Sequence, residues 1–461
     1  MSASREDGDG ECSKTCERID VHEELAQARV TRFHWQLGAT MGALTFFDGY
    51  DTFAPAYVIH YVAAPWHLRP DQAGVLVSSG LIGFLLGAVF HGPVADRIGR
   101  RFTLLGGLSI MSIFTLATAV LATSFGSFCI ARLLTGLGLG VLLPLTTTYI
   151  NELTPRAIAN TFATCAVGCG WALGGASAGV IGVLATPRYG WQSLFFIGAL
   201  SLLLIPLLYF TLPESVKFLA LKGKTAEIRR VLSRLRPEHA GRYRHASIAL
   251  DAGATPETTG NPVATLLSAP YRRTTLAVWT AAFFGLFCIF GLSGWIPTVM
   301  IQRGETFGAS FGFGALLQVA SFVGGLACGY VSDRQGSSRI SLIVWWGVGA
   351  AWVIVLAFFN DHAINVLCVA AAGFFTVGAQ FVLNNFAAKA YGTSVRATAV
   401  GMELSVGRIG AILGPFVVGV LQEVVPGPTP MFVAIALASL IAATAIAVGT
   451  TSKPGTLGFP S

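Results

Sequence analysis

The sequence predicts an all-α membrane protein of twelve transmembrane helices in two related six-helix halves, on three observations. Only 11% of the 461 residues are charged while 53% are hydrophobic, and the mean hydropathy is +0.66, against roughly a quarter charged in soluble domains. Apolar runs long enough to cross about 30 Å of hydrocarbon, about 20 residues each, fall six before residue 212 and six after residue 272. Short motifs of the first set recur in the second at a nearly constant offset. The 54 glycines fit the same class, because glycine lets membrane helices approach closely.

Taken in order, residues 1–32 form a polar tail with eight acids, without the basic start and short apolar run of a signal peptide. The first half, 33–212, holds expected spans at 35–60, 72–95, 102–122, 125–151, 157–185 and 191–212. Residues 213–272 read as a basic linker with short amphipathic helices, ending in the turn-rich stretch from Ala252 to Pro262. The second half, 273–450, holds spans at 274–300, 309–331, 340–359, 363–388, 396–422 and 430–450, and 451–461 form a second tail.

Basic loops resist translocation, so the distribution of Lys and Arg orients the chain. With both termini inside, 25 of the 30 cationic residues lie in inner loops and tails; only Arg69, Arg188 and Arg303 lie outside, and Arg132 and Arg408 fall within spans. The net charge of +7 therefore belongs to one membrane face, and no nucleic-acid partner is expected. The expected location is the cell (inner or plasma) membrane, with both termini cytosolic and the monomer as working unit. The eight cysteines are scattered, which excludes a disulfide framework. Cys12, Cys16 and His22 lack the spacing of a zinc site, so neither metal nor cofactor is expected. No nucleophile constellation or phosphate loop appears, and the linker is too short for a catalytic domain, which argues against an enzyme.

The repeat is visible at two places. Gly92-Pro-Val-Ala-Asp96-Arg97-Ile-Gly99-Arg100-Arg101 after span 2 returns as Gly329-Tyr-Val-Ser-Asp333-Arg334-Gln-Gly336 after span 8, at offset 237. Gly170, Gly174 and Gly179 of span 5 return as Gly410, Gly414 and Gly419 of span 11, and Arg156 as Arg396, at offset 240. Duplicated transporter halves keep symmetry of this kind. The glycines permit a tight turn, and the aspartate and arginines can bond exposed helix termini. The arginines also enforce topology, so the loop reads as a latch, a topology signal or both.

Ionisable groups inside spans are costly and by default functional. Asp48 and Asp51 lie three residues apart in Phe47-Asp48-Gly49-Tyr50-Asp51, on one helix face. Two carboxylates there cannot both ionise cheaply, so the pair can take up and release a proton. Arg132 lies at a depth that allows pairing with Asp51. Arg408 lies about 18 Å in from the cytosolic side, at 1.5 Å per residue, and Glu403 shares its span. The bland alternative is that these charges only fasten helices together. A flat organic anion needs a fixed cation, an apolar slot and hydrogen bonds. Arg408 supplies the first; Trp295, Phe290, Phe386 and Trp171 could flank a ring; and Gln318, Gln380, Asn384 and Asn385 offer amides, with residues 380 and 384 on one face.

The G-x-x-x-D-R-x-G-R-R loop is similar to the signature of the major facilitator superfamily. The Asp48-Gly-Tyr-Asp51 string resembles the D-G-x-D motif of its aromatic acid:proton symporter family. Asn151-Glu152-Leu-Thr-Pro155-Arg156, Pro213-Glu214-Ser215 and Gly407-Arg408-Ile-Gly410 agree with it. The resemblance implies the major facilitator fold and proton-coupled uptake of benzoate, a hydroxybenzoate or a related acid. It implies proton coupling at Asp48 and Asp51, and substrate or coupling roles for Arg132, Arg408 and Glu403. Gating falls to Gly92, Asp96, Arg97, Gly99, Arg100, Glu152, Arg156, Asp333, Arg334 and Arg396. A non-aromatic acid, a sugar or export are the rival readings; span 5 lacks the Gly-Pro pair typical of drug/proton antiporters.

Overall fold

The computed structural model describes residues 18–20, 24, 30–155, 164–236, 239–245, 247–249, 262–392 and 395–450. Twelve long helices run through it: α1 (Arg32–Val62), α2 (Pro70–Ile98), α3 (Arg100–Leu121), α4 (Phe125–Leu153), α5 (Gly170–Tyr189), α6 (Gln192–Thr211), α7 (Ala269–Gln302), α8 (Phe307–Gln335), α9 (Ser338–Phe358), α10 (His362–Ala390), α11 (Arg396–Val424) and α12 (Thr429–Gly449). The eleven from α2 onward are each long and apolar enough to cross a membrane. In α1 the two aspartates lower the apolarity, yet both are fully buried among other helices, so hydrocarbon never meets them. The helices overrun the expected spans by a few residues, because a helix continues past the hydrocarbon into the interface.

Three helices depart from regular geometry. A π-turn, Thr164–Cys169, precedes α5; a second, Ala372–Val377, interrupts α10; and α6 passes through a 3₁₀ segment, Ala199–Leu203. The expected start of span 5 near residue 157, with Arg156, lies outside the described residues, as do Cys12, Cys16 and His22.

The repeated glycines mark two equivalent helix crossings. A methyl group built on Gly174 would stand 1.9 Å from the Phe46 carbonyl oxygen of α1, and one on Gly410 would stand 1.9 Å from the Phe283 oxygen of α7. Gly170 meets the Gly42 oxygen at 2.5 Å and Gly414 meets the Phe287 oxygen at 2.6 Å. The glycines repeat at offset 240 and their partners at 241, so α1 crosses α5 as α7 crosses α11. Gly174→Ala should therefore cost about 1–3 kcal/mol or more through overpacking. Gly106→Ala, at a position with open space around it, should cost nothing. Thermal unfolding of the two detergent-purified variants compares them directly.

The two halves meet at the end of the bundle away from the linker. There Ser78 Oγ of α2 donates to the Ile412 carbonyl of α11 at 2.7 Å, the Gly74 and Pro415 backbones approach closely, and the Tyr57 and Phe311 rings pack at 5.0 Å. At the linker end, no hydrogen bond or ion pair joins α1–α6 to α7–α12 among the described residues. Short linker helices, Val216–Leu221 and Thr225–Leu235, bury Leu219, Ile228 and Leu232 against the first half. Strand Arg18–Asp20 pairs in parallel with Ser247–Ala249. Glu24 accepts hydrogen bonds from Arg236 at 2.6 Å, Arg242 at 3.0 Å and Tyr243 at 2.8 Å, so this acidic residue is docked on the basic linker.

Candidate functional site

The Asp48–Asp51 pair divides into two environments. Asp51 Oδ1 accepts from Arg132 Nη1 at 2.9 Å, its Oδ2 accepts from Thr115 Oγ1 at 2.6 Å, and its backbone oxygen accepts from Arg132 Nη2 at 2.6 Å. Arg132 and Asp51 are 1% and 0% exposed. A pair so enclosed fastens α1 to α3 and α4, the bland alternative for this arginine. Asp48 is equally buried, but its Oδ2 has no hydrogen-bond partner and its Oδ1 has only a long contact, 3.4 Å, from Thr52. Trp171 of α5 lies beside it, and Arg408 across the interface is within electrostatic reach. Gly49 lies between the aspartates because a methyl group there would stand 2.1 Å from the Trp171 carbonyl oxygen. The separation follows from helix geometry, since residues three apart diverge by about 60° around the axis. That is enough to face different neighbours.

Arg408 occupies the middle of α11. Its guanidinium lies 3.8 Å from the Phe84 ring centroid of α2, a cation–π contact between the halves. It forms no ion pair or hydrogen bond among the described residues, and it is half-buried rather than sealed. Glu403, on the same helix, is fully buried with both carboxyl oxygens lacking hydrogen-bond partners. Toward the closed end, Phe53 of α1 stacks on Phe290 of α7 at 5.9 Å and meets Trp171 edge-on at 4.8 Å. These contacts join α1, α5 and α7 beside Asp48, the Phe53–Phe290 stack crossing between the halves.

The amides divide as well. Gln318 donates to Ser293 at 3.3 Å and leaves Oε1 unpartnered. Gln380 donates to Asn384 at 3.5 Å and also leaves Oε1 unpartnered, next to Gly285 of α7. One expectation is corrected. Trp295 is no slot residue: it is 2% exposed and its indole N–H donates to the Pro415 carbonyl at 2.9 Å, which ties α7 to α11. Asn385 is exposed, because it follows Asn384 by about 100° around the helix. Phe386 packs against the buried cluster that includes Trp345, Trp346 and Leu383.

The loop residues assemble around a carboxylate that the loop motif does not contain. Glu214 Oε1 accepts from the backbone N–H groups of Arg100 at 2.9 Å, Arg101 at 3.1 Å and Ser215 at 2.9 Å. Gly99 has φ +99°, and a methyl group on it would meet Glu214. Glu152 pairs with Arg100 and accepts from Ser215 Oγ at 2.7 Å. The bond to an exposed helix terminus thus comes from Glu214; Asp96 and Arg97 are exposed. Gly92 has open space around it. In the second copy Asp333 and Arg334 are exposed, and Arg339 reaches the Ala447 carbonyl at 2.5 Å instead. Arg396 is exposed, with a long contact to the Tyr391 carbonyl at 3.4 Å. Thr115 and Phe84 carry no signal in the sequence, being one hydroxyl and one ring among many. Glu214 was signalled by Pro213-Glu214-Ser215.

A family model described as Major Facilitator Superfamily matches residues 40–415. The 4-hydroxybenzoate transporter PcaK of Acinetobacter baylyi is 33% identical over 408 residues, 87% of this chain and 88% of the relative. The gallate transporter of Pseudomonas putida is 32% identical over 430 residues, 93% of this chain and 94% of its own. Among solved structures, a partially occluded inward open conformation of the E. coli xylose transporter XylE aligns with TM-score 0.69 and 17% identity, over 90% of this chain and 97% of that one.

Proposed function

This chain belongs to the Major Facilitator Superfamily and to its group of aromatic-acid transporters, and from that premise we propose that it takes up a monocarboxylate such as benzoate or a hydroxybenzoate together with protons. The observation that carries this reading is Arg408, a guanidinium deep in the bundle with no carboxylate bound to it. An anion's carboxylate would meet that cation. Its ring would lie against Phe84 or against Phe53, Phe290 and Trp171, and a ring hydroxyl would bond the free oxygens of Gln318 or Gln380. Asp48 supplies the proton site.

The charge count of the loops puts the linker and both termini in the cytosol. The halves, residues 33–212 and 273–450, then rock about this site in alternating access. The arrangement described above, joined at the far end and unjoined at the linker end, is the one that faces the cytosol. The monomer contains every group the cycle needs.

The test is uptake of labelled 4-hydroxybenzoate, benzoate, gentisate and muconate by proteoliposomes, with and without a pH gradient. Uptake of the three aromatic acids, raised by an acidic exterior, is expected; preference for muconate would overturn the aromatic assignment. Arg408→Ala should lower affinity more than tenfold in a protein that stays monodisperse. Unchanged affinity in that variant would remove Arg408 from the site.

A further inference from the structure

Where the linker packs on the first half, a cleft of about 250 Å³ lies apart from the transport site. Arg101 of α3, Glu214 after α6, and Glu227, Arg230 and Arg234 of the linker helix Thr225–Leu235 line it. That helix turns Ile228 and Leu232 into the core, which leaves Arg230 and Arg234, four residues apart, together on an exposed face.

The cations of the cleft are not neutralised by its carboxylates. Glu214 Oε1 is taken by the backbone N–H groups of Arg100, Arg101 and Ser215, and Glu227 pairs with Lys224 at 2.9 Å. Arg101, Arg230 and Arg234 form no ion pair among the described residues. Arg101 gives one N–H to the Tyr209 carbonyl and leaves its Nε buried without a partner. Arg234 makes only a long contact, 3.5 Å, to the Thr211 carbonyl. A buried donor without an acceptor is costly, and three guanidiniums lining one cleft suit an anion with several oxygens, of which phosphate is the best match in shape and charge.

The source of that phosphate is indicated by the rings beside it. The Arg101 guanidinium lies 5.0 Å from the Tyr209 ring centroid and 5.9 Å from that of Phe102. Phe102, Tyr209 and the adjacent Phe210 are 53%, 49% and 78% exposed, at the ends of two helices long and apolar enough to cross a membrane. A soluble anion would use the guanidiniums alone. An amphiphile would use the guanidiniums and the exposed rings together.

We propose that this cleft binds an anionic phospholipid, its phosphodiester held by Arg101, Arg230 and Arg234 and its chains lying on Phe102 and Phe210. The charge count of the loops puts this face in the cytosol, so the lipid is one of the cytosolic leaflet, where anionic headgroups attract basic segments. A bound headgroup joins the ends of α3 and α6 to the helix Thr225–Leu235 and fastens the linker to the first half.

The full-length protein in neutral detergent micelles tests this, with phosphatidylglycerol, phosphatidylcholine or inorganic phosphate titrated in and thermal unfolding as the readout. Phosphatidylglycerol is expected to bind and stabilise at concentrations about tenfold lower than phosphatidylcholine, and Arg230→Gln with Arg234→Gln should remove most of that preference. Arg230→Lys with Arg234→Lys should keep part of it, since charge remains but the planar fork is lost. Arg272→Gln with Lys389→Gln takes the same charge from exposed positions of the second half and should leave the preference within about twofold of wild type, because their charges lie outside the cleft. If the first double variant is not monodisperse, Arg230→Gln alone carries the comparison. Equal binding of the two lipids by the wild-type protein would overturn the proposal, as would an equal loss in the second-half variant, the mark of a diffuse surface charge. Stabilisation by inorganic phosphate matching that by phosphatidylglycerol would make the cleft a soluble-anion site and overturn the lipid assignment.

Discussion

Asp48→Asn is expected to abolish pH-driven accumulation of the aromatic acid, by more than tenfold, while leaving a folded protein that still binds it. Asparagine keeps the volume and the long contact to Thr52 but cannot exchange a proton. The effect is assigned to Asp48 because both carboxyl oxygens of Asp51 are engaged in hydrogen bonds, from Arg132 and Thr115. Asp48 leaves Oδ2 unpartnered and lies within electrostatic reach of Arg408 across the interface. The measurement is initial uptake into proteoliposomes at equal and at acidic external pH. Binding is followed separately by ligand-induced thermal stabilisation. If Asp48→Asn accumulated substrate as the wild type does, proton coupling would have to be moved to another group.

The second large effect is on folding. Arg132→Ala leaves the Asp51 carboxylate buried and without its cation, and breaking a buried ion pair in this way costs about 3–5 kcal/mol. Most of that penalty is the stranded charge. Removing both charges, as in Arg132→Gln with Asp51→Asn, should therefore recover more than half of the lost stability, since the intact pair also bears a desolvation cost. Thermal unfolding of the single and double variants measures the difference. A single variant within about 1 kcal/mol of wild type would contradict the sealed geometry seen around Asp51, because an exposed pair is worth no more than that.

The loop network gives a third contrast between sequence and structure. From Gly92 to Arg101 the sequence suggests a self-contained latch, in which the aspartate bonds a helix terminus. In the structure the terminus of α3 is bonded by Glu214, more than a hundred residues later, and Glu152 completes the arrangement through Arg100 and Ser215. A loop motif shows that a tight turn is present at Gly99. It does not show which distant carboxylate will arrive beside it.

What the sequence by itself determined follows from local and additive physics. Hydrocarbon thickness sets the length of each span, basic residues mark one face, and the glycine repeat at offset 240 reports two equivalent helix crossings that side chains would block. The ionisable residues of the spans are equally legible, because each is conspicuous against an apolar background. What only the tertiary structure decided is which of these charges meet. Asp48 and Asp51 are three residues apart and look like one site, yet the rotation of α1 pairs Asp51 with Arg132 and leaves Asp48 without an ion-pair partner. Trp295 was a candidate by residue type, and helix rotation placed it in the core. The azimuth of a helix is fixed by packing against its neighbours over long sequence separations. The sequence pattern of a nearly uniformly apolar helix records it only faintly.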